Sequence, residues 1–259
     1  SQGGRIVSVF TKRFWMEGPG SFVLAIALAL VIRWALFEAY VIPSTSMLPT
    51  LLVHDHIFVN KAVYGVRVPF SEDWLVRWNS PVRGEVVVFK YPADKEKYFI
   101  KRVIGGPGDR VFYENGYLYV NGKLVERSIP QALRDEWLWL KDTDFPGDQH
   151  AGGRALYVHW EEHLGSALYS VLIRRERGDA DETFGPVSVP DDQYLVLGDN
   201  RDNSKDSRAW EEPYRFVPRD YLVGRASFVW LSCETTLPAL PFLCNPLTIR
   251  WKRFLHSVN

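Results

Sequence analysis

The chain has 259 residues with 31 Lys+Arg against 31 Asp+Glu, a formal net charge of +0 at pH 7. That balance argues against a nucleic-acid-binding domain, whose affinity comes mainly from excess cationic charge set along phosphates. With 46% hydrophobic and 14% aromatic residues, the chain can bury the core of one large or two modest domains, which excludes intrinsic disorder.

The first element is apolar. Phe22 to Ile32 reads FVLAIALALVI, and after Arg33 the sequence continues through Trp34-Ala35-Leu36-Phe37, Glu38 and Ala39-Tyr40-Val41-Ile42 to Pro43. A membrane span needs about 20 mostly apolar residues to cross roughly 30 Å of hydrocarbon. Residues 20–42 meet that length if Arg33 and Glu38, both toward the C-terminal end, reach the interface. Gly18-Pro19-Gly20-Ser21 is a start signal for a helix and Pro43 a stop signal. A cleaved secretory signal, a retained anchor and a buried core helix compete. Phe37-Glu38-Ala39-Tyr40 is a poor small-x-small cleavage site, which favours the anchor. Arg5, Lys12 and Arg13 precede the apolar run, so residues 1–19 are expected in the cytoplasm and everything after Ile42 outside.

Strand-like runs dominate the remainder. His56 to Asn60, Glu85 to Tyr91, Tyr98 to Ile104, Arg110 to Tyr113, Tyr117 to Val120 and Tyr194 to Leu197 are rich in Val, Ile, Tyr and Phe and bounded by turn residues. Asn115-Gly116 and Asn121-Gly122 are hairpin-turn signals. Residues 128–190 are less regular, with an amphipathic patch at Ala132 to Leu140 and Pro/Gly/Asp-rich stretches at 144–153 and 178–186, and they read as an insertion or cap. Cys233 and Cys244, with Pro238 and Pro241 between them, would close a small loop in an oxidising compartment, the alternative being two unrelated buried thiols. The expected fold is mostly β behind an N-terminal transmembrane helix.

Chemistry concentrates in three segments. Ile42-Pro43-Ser44-Thr45-Ser46-Met47-Leu48-Pro49-Thr50-Leu51 crowds hydroxyls between prolines, a pattern equally suited to a turn or a helix cap. Tyr98 to Asp109 runs an apolar strand into a glycine turn, and strand alternation sets Lys101 on one face with Phe99 and Val103. Loss of hydration there would favour a neutral amine able to act as a base. From a reference pKa of about 10.4, roughly one lysine in 2,500 is neutral at pH 7, so full conversion asks for about 4–5 kcal/mol. A snorkelling edge-strand lysine is the simpler reading of Lys101 alone. The third segment, Gly198 to Arg208 (GDNRDNSKDSR), has acidic spacing reminiscent of a calcium loop, but Arg201 and Lys205 fall among the ligand positions and the glycine is missing. No metal or other cofactor is expected; alternating Asp and Arg suit a loop held by charge-assisted hydrogen bonds.

Together, the apolar anchor, the IPSxSMxPTL box directly after it, the GEVVVF strand at 84–89, the YFIKRVIGGPGD box and the GDNRDNSxDSR box resemble, in order, the type I signal peptidases, membrane-bound Ser/Lys endopeptidases. The resemblance covers residues from about 20 to 110 and 195 to 230. It implies a signal-peptidase-type, LexA-like β catalytic domain, with the core at 43–110 and 195–259 and an inserted cap at 111–194. It further implies Ser46 as nucleophile, Lys101 as general base, and an oxyanion hole of the Ser44 hydroxyl and the Ser46 N–H, in a Ser/Lys variant of the triad logic. Ser204 would orient the lysine, with Asp206 and Arg208 a supporting ion pair, and Tyr40, Ile42, Met47, Leu51, Phe99 and Ile100 would wall shallow pockets for small side chains at −1 and −3. The six histidines, His54 and His56 included, would have no catalytic part.

Substrates would be exported preproteins, cleaved at the outer face of a bacterial inner membrane by a single-pass protein. The lipid bilayer and the translocation machinery are its further candidate partners. Thr45 stands where the family pattern has glycine. A dedicated peptidase of the same clan and a β-domain retained as a binding module are the alternatives; the intact Ser46, Lys101 and Ser204 argue against the second.

Overall fold

The computed structural model describes residues 15, 18–68, 71, 73–130, 135–145, 152–176 and 182–258. The cations Arg5, Lys12 and Arg13, and parts of the 132–140, 144–153 and 178–186 stretches, lie outside the described residues. Helix α1 (Pro19–Leu36) starts as its residues suggest: the Ser21 hydroxyl and N–H both donate to the Gly18 carbonyl, at 2.7 and 3.0 Å. Its apolar side chains Phe22, Ile26 and Leu30 are exposed. Among the described residues, no helix is long and apolar enough to cross a membrane.

The apolar run expected to extend to Ile42 divides at Leu36. Phe37–Val41 is a strand, β1, antiparallel to β2 (Asp55–Asn60) with Tyr40 opposite Ile57. Aromatic and β-branched residues favour a pleated surface, and here β2 supplies the partner. Glu38 is fixed by Lys61 at 3.2 Å, so the carboxylate that counted against a span has a place beside the sheet.

The other strands follow in order: a small hairpin of β3 (Gly65–Arg67) and β4 (Trp74–Arg77), then β5 (Val86–Tyr91), β6 (Asp94–Gly105), β7 (Arg110–Glu114), β8 (Tyr117–Val120), β9 (Lys123–Leu124) and β10 (Glu126–Ser128). After a short helix α2 (Asp135–Trp139) come β11 (Tyr157–Leu164), β12 (Ala167–Arg174), β13 (Thr183–Ser188) and β14 (Gln193–Leu197). The chain finishes with β15 (Val217–Pro218), β16 (Leu222–Ser232), β17 (Thr236–Leu237), β18 (Leu240–Cys244) and β19 (His256–Ser257). An eight-stranded sheet runs β1-β2-β16-β5-β6-β14-β15 with β19 added on β16. The segment between β6 and β14 builds a four-stranded sheet, β13-β7-β8-β9, and a three-stranded one, β10-β11-β12. Both Asn-Gly pairs close hairpins, with positive φ at Asn115, Gly116, Asn121 and Gly122, as tight β-turns of this sequence require.

Strand β6 is covered on both sides. Val103 joins Val87, Phe89, Tyr194, Val196 and Trp210 in one cluster, while Ile104 joins Val111, Tyr113, Tyr169, Val171, Leu195 and Leu197 in another. Burial of each such side chain contributes about 1.5–3 kcal/mol. A third cluster holds Ile42, Met47, Leu51, Ile57, Val59 and Ile100, with Tyr40 packed against it.

The region expected to be irregular contains the regular hairpin β11–β12, turning at Gly165 with φ 64°. Its inward positions include His159, Glu162 and Ser170, all buried, so polar residues stand where apolar ones would have shown the alternation. Strand β16 was also hidden, because register shifts against β2 and β5 break its period. Cys233 and Cys244 are joined by a disulfide across a Cα–Cα distance of 5.6 Å.

Candidate active site

The serine-rich segment follows β1 directly and carries Ser46 against Lys101 of β6. Lys101, opposite Val87 in the β5–β6 ladder, is 4% exposed and Ser46 is 7% exposed. Lys101 Nζ lies 2.7 Å from Ser46 Oγ and donates a second hydrogen bond, 2.8 Å, to the Ile100 carbonyl. Burial lowers its pKa from 10.5 to about 8, against the pull of the Asp206 and Asp199 carboxylates, which favour the charged form. About one molecule in ten then carries a neutral amine at pH 7. A neutral amine at this distance can accept the hydroxyl proton, so the pair suits general-base activation of a serine. Ser44 Oγ lies 3.3 Å from Ser46 Oγ.

Asp206 and Arg208 form the expected ion pair, at 2.9 and 3.0 Å. Burial alone would raise the Asp206 carboxyl, but Arg208 and the Gly198 N–H, 2.9 Å away, outweigh it and hold the pKa below the usual value. Arg208 also donates to the Arg201 carbonyl at 2.6 Å and to Glu182 at 3.0 Å.

Two expectations need correction. Ser204 makes no hydrogen bond to Lys101: its Oγ is buried on the Asp206 side, where it helps hold that carboxyl low. The lysine bonds to Ser46 and Ile100 instead, and Ser204 packs against Gly198, where a Cβ would collide with Ser204 Oγ and the Ser46 carbonyl. Glycine at 198 thus lets the third segment close on the nucleophile loop. The six pocket residues also divide. Phe99 and Ile100 line a cleft of about 360 Å³ shared with Ser44, Ser46 and Lys101. Ile42, Met47 and Leu51 are buried, with Met47 and Leu51 at 0% exposure; they support the cleft from within the core. Tyr40 is half-buried, its ring 5.7 Å from that of Tyr98, which does line the cleft.

Several residues that hold the site had escaped the sequence reading. Arg102, on the face of β6 opposite Lys101, bonds Asp199 at 2.8 and 2.7 Å and the Gly84 carbonyl at 2.6 Å. Thr50 donates to Asp199 at 2.5 Å, and both members of the Arg102–Asp199 pair are fully buried. Asn200 bonds the Ser46 carbonyl through its N–H (3.1 Å) and the Thr45 carbonyl through its side chain (3.1 Å). Asn203 reaches the Thr45 hydroxyl at 3.0 Å, so the threonine in place of glycine points to the loop that grips it. From the inserted region, Glu162 pairs with Arg201 at 2.7 and 2.6 Å with both side chains fully buried, and β12 donates N–H groups of Leu172 and Arg174 to Asp199 and Asp202. Only the chemical types in the GDNRDN run hinted at these contacts, since their partners lie 27 to 158 residues away.

The arrangement sets a buried lysine amine against a serine hydroxyl on a β scaffold. Residues 15–231 match the family described as signal peptidase, peptidase S26. The chain is 40% identical over 230 residues to the Signal peptidase I of Pseudomonas aeruginosa, covering 84% of this chain and 72% of the relative. It is 37% identical over 234 residues to that of Pseudomonas fluorescens (87% and 76%), and 33% identical over 253 residues to that of Rickettsia massiliae (93% and 88%). The chain belongs to the signal peptidase S26 family and is a serine peptidase.

Proposed function

We propose that the chain is a membrane-anchored endopeptidase that removes signal peptides from exported preproteins after small residues at −1 and −3, with Ser46 and Lys101 as its catalytic dyad. The observation that carries this reading is the 2.7 Å contact between a buried lysine and a serine hydroxyl. Neutral Lys101 takes the Ser46 proton as Oγ attacks the scissile carbonyl. The developing oxyanion is met by the Ser44 hydroxyl and the Ser46 N–H, and the lysine ammonium then protonates the leaving amine. The same amine afterwards deprotonates the water that hydrolyses the ester. Tyr98, Phe99 and Ile100 shape the cleft for small side chains, and an extended peptide there adds along a strand edge.

Anchoring is supported by α1, whose apolar side chains from Phe22 to Val31 are exposed to the surroundings. With residues 1–19 cytoplasmic and α1 as the anchor region, the catalytic β core, which β1 joins (37–110 and 195–259), and the cap (111–194) sit on the periplasmic side of the inner membrane. The disulfide suits that compartment.

The test is to incubate the detergent-solubilised protein with a panel of preproteins and sequence the new N-termini. Cleavage after Ala-x-Ala across the panel supports a general processing enzyme, cleavage of one or two members a dedicated one, and cleavage of none overturns the proposal. Ser44→Ala is expected to lower kcat by about 10²- to 10³-fold with little change in KM, as for loss of one oxyanion donor. Steady-state kinetics on a signal-peptide substrate check it, and an unchanged kcat would take Ser44 out of the oxyanion hole.

A further inference from the structure

We infer that Lys205 makes the cleft selective for substrates carrying an acidic side chain close to the scissile bond. This rests on the peptidase reading of Ser46 and Lys101 and adds a determinant to it. Lys205 lines the same cleft of about 360 Å³ as Ser44, Ser46, Phe99 and Lys101, and it is exposed. Among the described residues no carboxylate pairs with it, and none of the described cleft-lining residues carries a carboxylate. The adjacent acid, Asp206, is fully buried and already occupied by Arg208 and the Gly198 N–H.

The cleft holds two amines, and their chemistry divides them. Lys101 is buried and works in the neutral form, whereas Lys205 is exposed and is the lysine that an incoming peptide meets. Its backbone does not wander from the nucleophile: Asn203 is tied to Thr45 at 3.0 Å, and Asn200 to the Ser46 carbonyl at 3.1 Å. A charge held beside the reacting bond, with no internal partner, favours a carboxylate on the substrate and disfavours a second cation there. Because it is exposed, its effect is that of a surface ion pair, about two- to fivefold in kcat/KM.

The experiment uses the full-length protein and signal-peptide substrates that differ by Asp, Asn or Lys, placed in turn at each of the two positions on either side of the cleavage point. For wild type, Lys205→Ala and Lys205→Glu, the quantity read is the ratio of kcat/KM for the Asp peptide to that for its Asn counterpart. Wild type is expected to prefer Asp two- to fivefold at one of these positions, Lys205→Ala to bring the ratio to about one, and Lys205→Glu to invert it in favour of Asn, with the Lys peptide cleaved best. About 0.5 M salt should compress the wild-type ratio, since screening at that strength is strong. A ratio of one in wild type at every position, or a preference that Lys205→Ala retains, overturns the assignment of Lys205. Absence of cleavage of every peptide by wild type overturns instead the peptidase reading on which it rests.

Discussion

Ser46→Ala is expected to lower kcat for a preprotein ending its signal in Ala-x-Ala by about 10⁶-fold, the usual cost of removing a serine nucleophile from a working dyad. Lys101→Met should lose as much, because the sulfur cannot take the hydroxyl proton. The two variants part company in stability. Wild-type Lys101 titrates near 8 in the folded protein against 10.5 in its ordinary state, so below pH 8 both folded and unfolded chains carry the proton and folding bears the whole penalty of about 3 kcal/mol. Between about pH 8 and 10.5 the unfolded chain still binds the proton and the folded one does not, so wild-type stability rises with pH. Lys101→Met removes the buried charge together with hydrogen bonds to Ser46 and Ile100, for a net gain of about 1–3 kcal/mol at pH 7. Denaturant unfolding at pH 7 and pH 10 reads this directly: the variant should be the more stable at pH 7, with its advantage shrinking at pH 10. A variant less stable than wild type at pH 7 would contradict the burial account. For wild type, kcat/KM should rise with pH and level off above about 8, where the amine is neutral.

The second large effect lies behind the site. Arg102→Met leaves Asp199 as an unpaired, fully buried carboxylate beside Thr50, and is expected to cost about 3–5 kcal/mol of stability. Arg102→Met/Asp199→Leu should recover most of that loss, because replacing both charges by apolar side chains removes the desolvation cost along with the attraction. Thermal unfolding of the two single variants and the double variant gives the coupling. A single-variant loss under 1 kcal/mol would mean that water reaches Asp199. The double variant also removes one of the two carboxylates that raise the Lys101 pKa, so any activity it keeps should show its alkaline limb at lower pH.

Much of this site was legible because three motif segments, one of them on β6, resemble a known family in order. Tyr98 to Ile104 reads as a strand, but alternation alone suits an edge-strand lysine at 101, and only the resemblance of the three segments together picks Lys101 out. Arg102, one residue on, was as unusual and passed unnoticed, since its partner Asp199 is 97 positions distant and no local pattern links them. Glu162 and His159 had the opposite effect, concealing β11 by placing polar groups at buried positions on both of its faces. The apolar run from Phe22 to Ile42 combined a helix and a strand of similar hydrophobicity. What separates them is the ladder of Phe37–Val41 against β2, a tertiary fact. Ser204 illustrates a limit of motif reasoning: the motif identifies the residue, while the rotamer and the packing of Gly198 decide which atom it touches.

The position of β16 bears on when this protein becomes competent during its own synthesis. The strand is Leu222–Ser232, yet it lies between β2 and β5, which are Asp55–Asn60 and Val86–Tyr91. The hairpin β5–β6 and the pair β1–β2 form from neighbouring residues, but each presents an open edge until the last part of the chain arrives. Closure over such separations is slow, and exposed edges invite pairing with other chains. Ser46 and Lys101 belong to strands and loops on either side of that gap, so an emerging chain holds both residues long before it holds the contact between them. A protease assembled in this way is silent until it is whole.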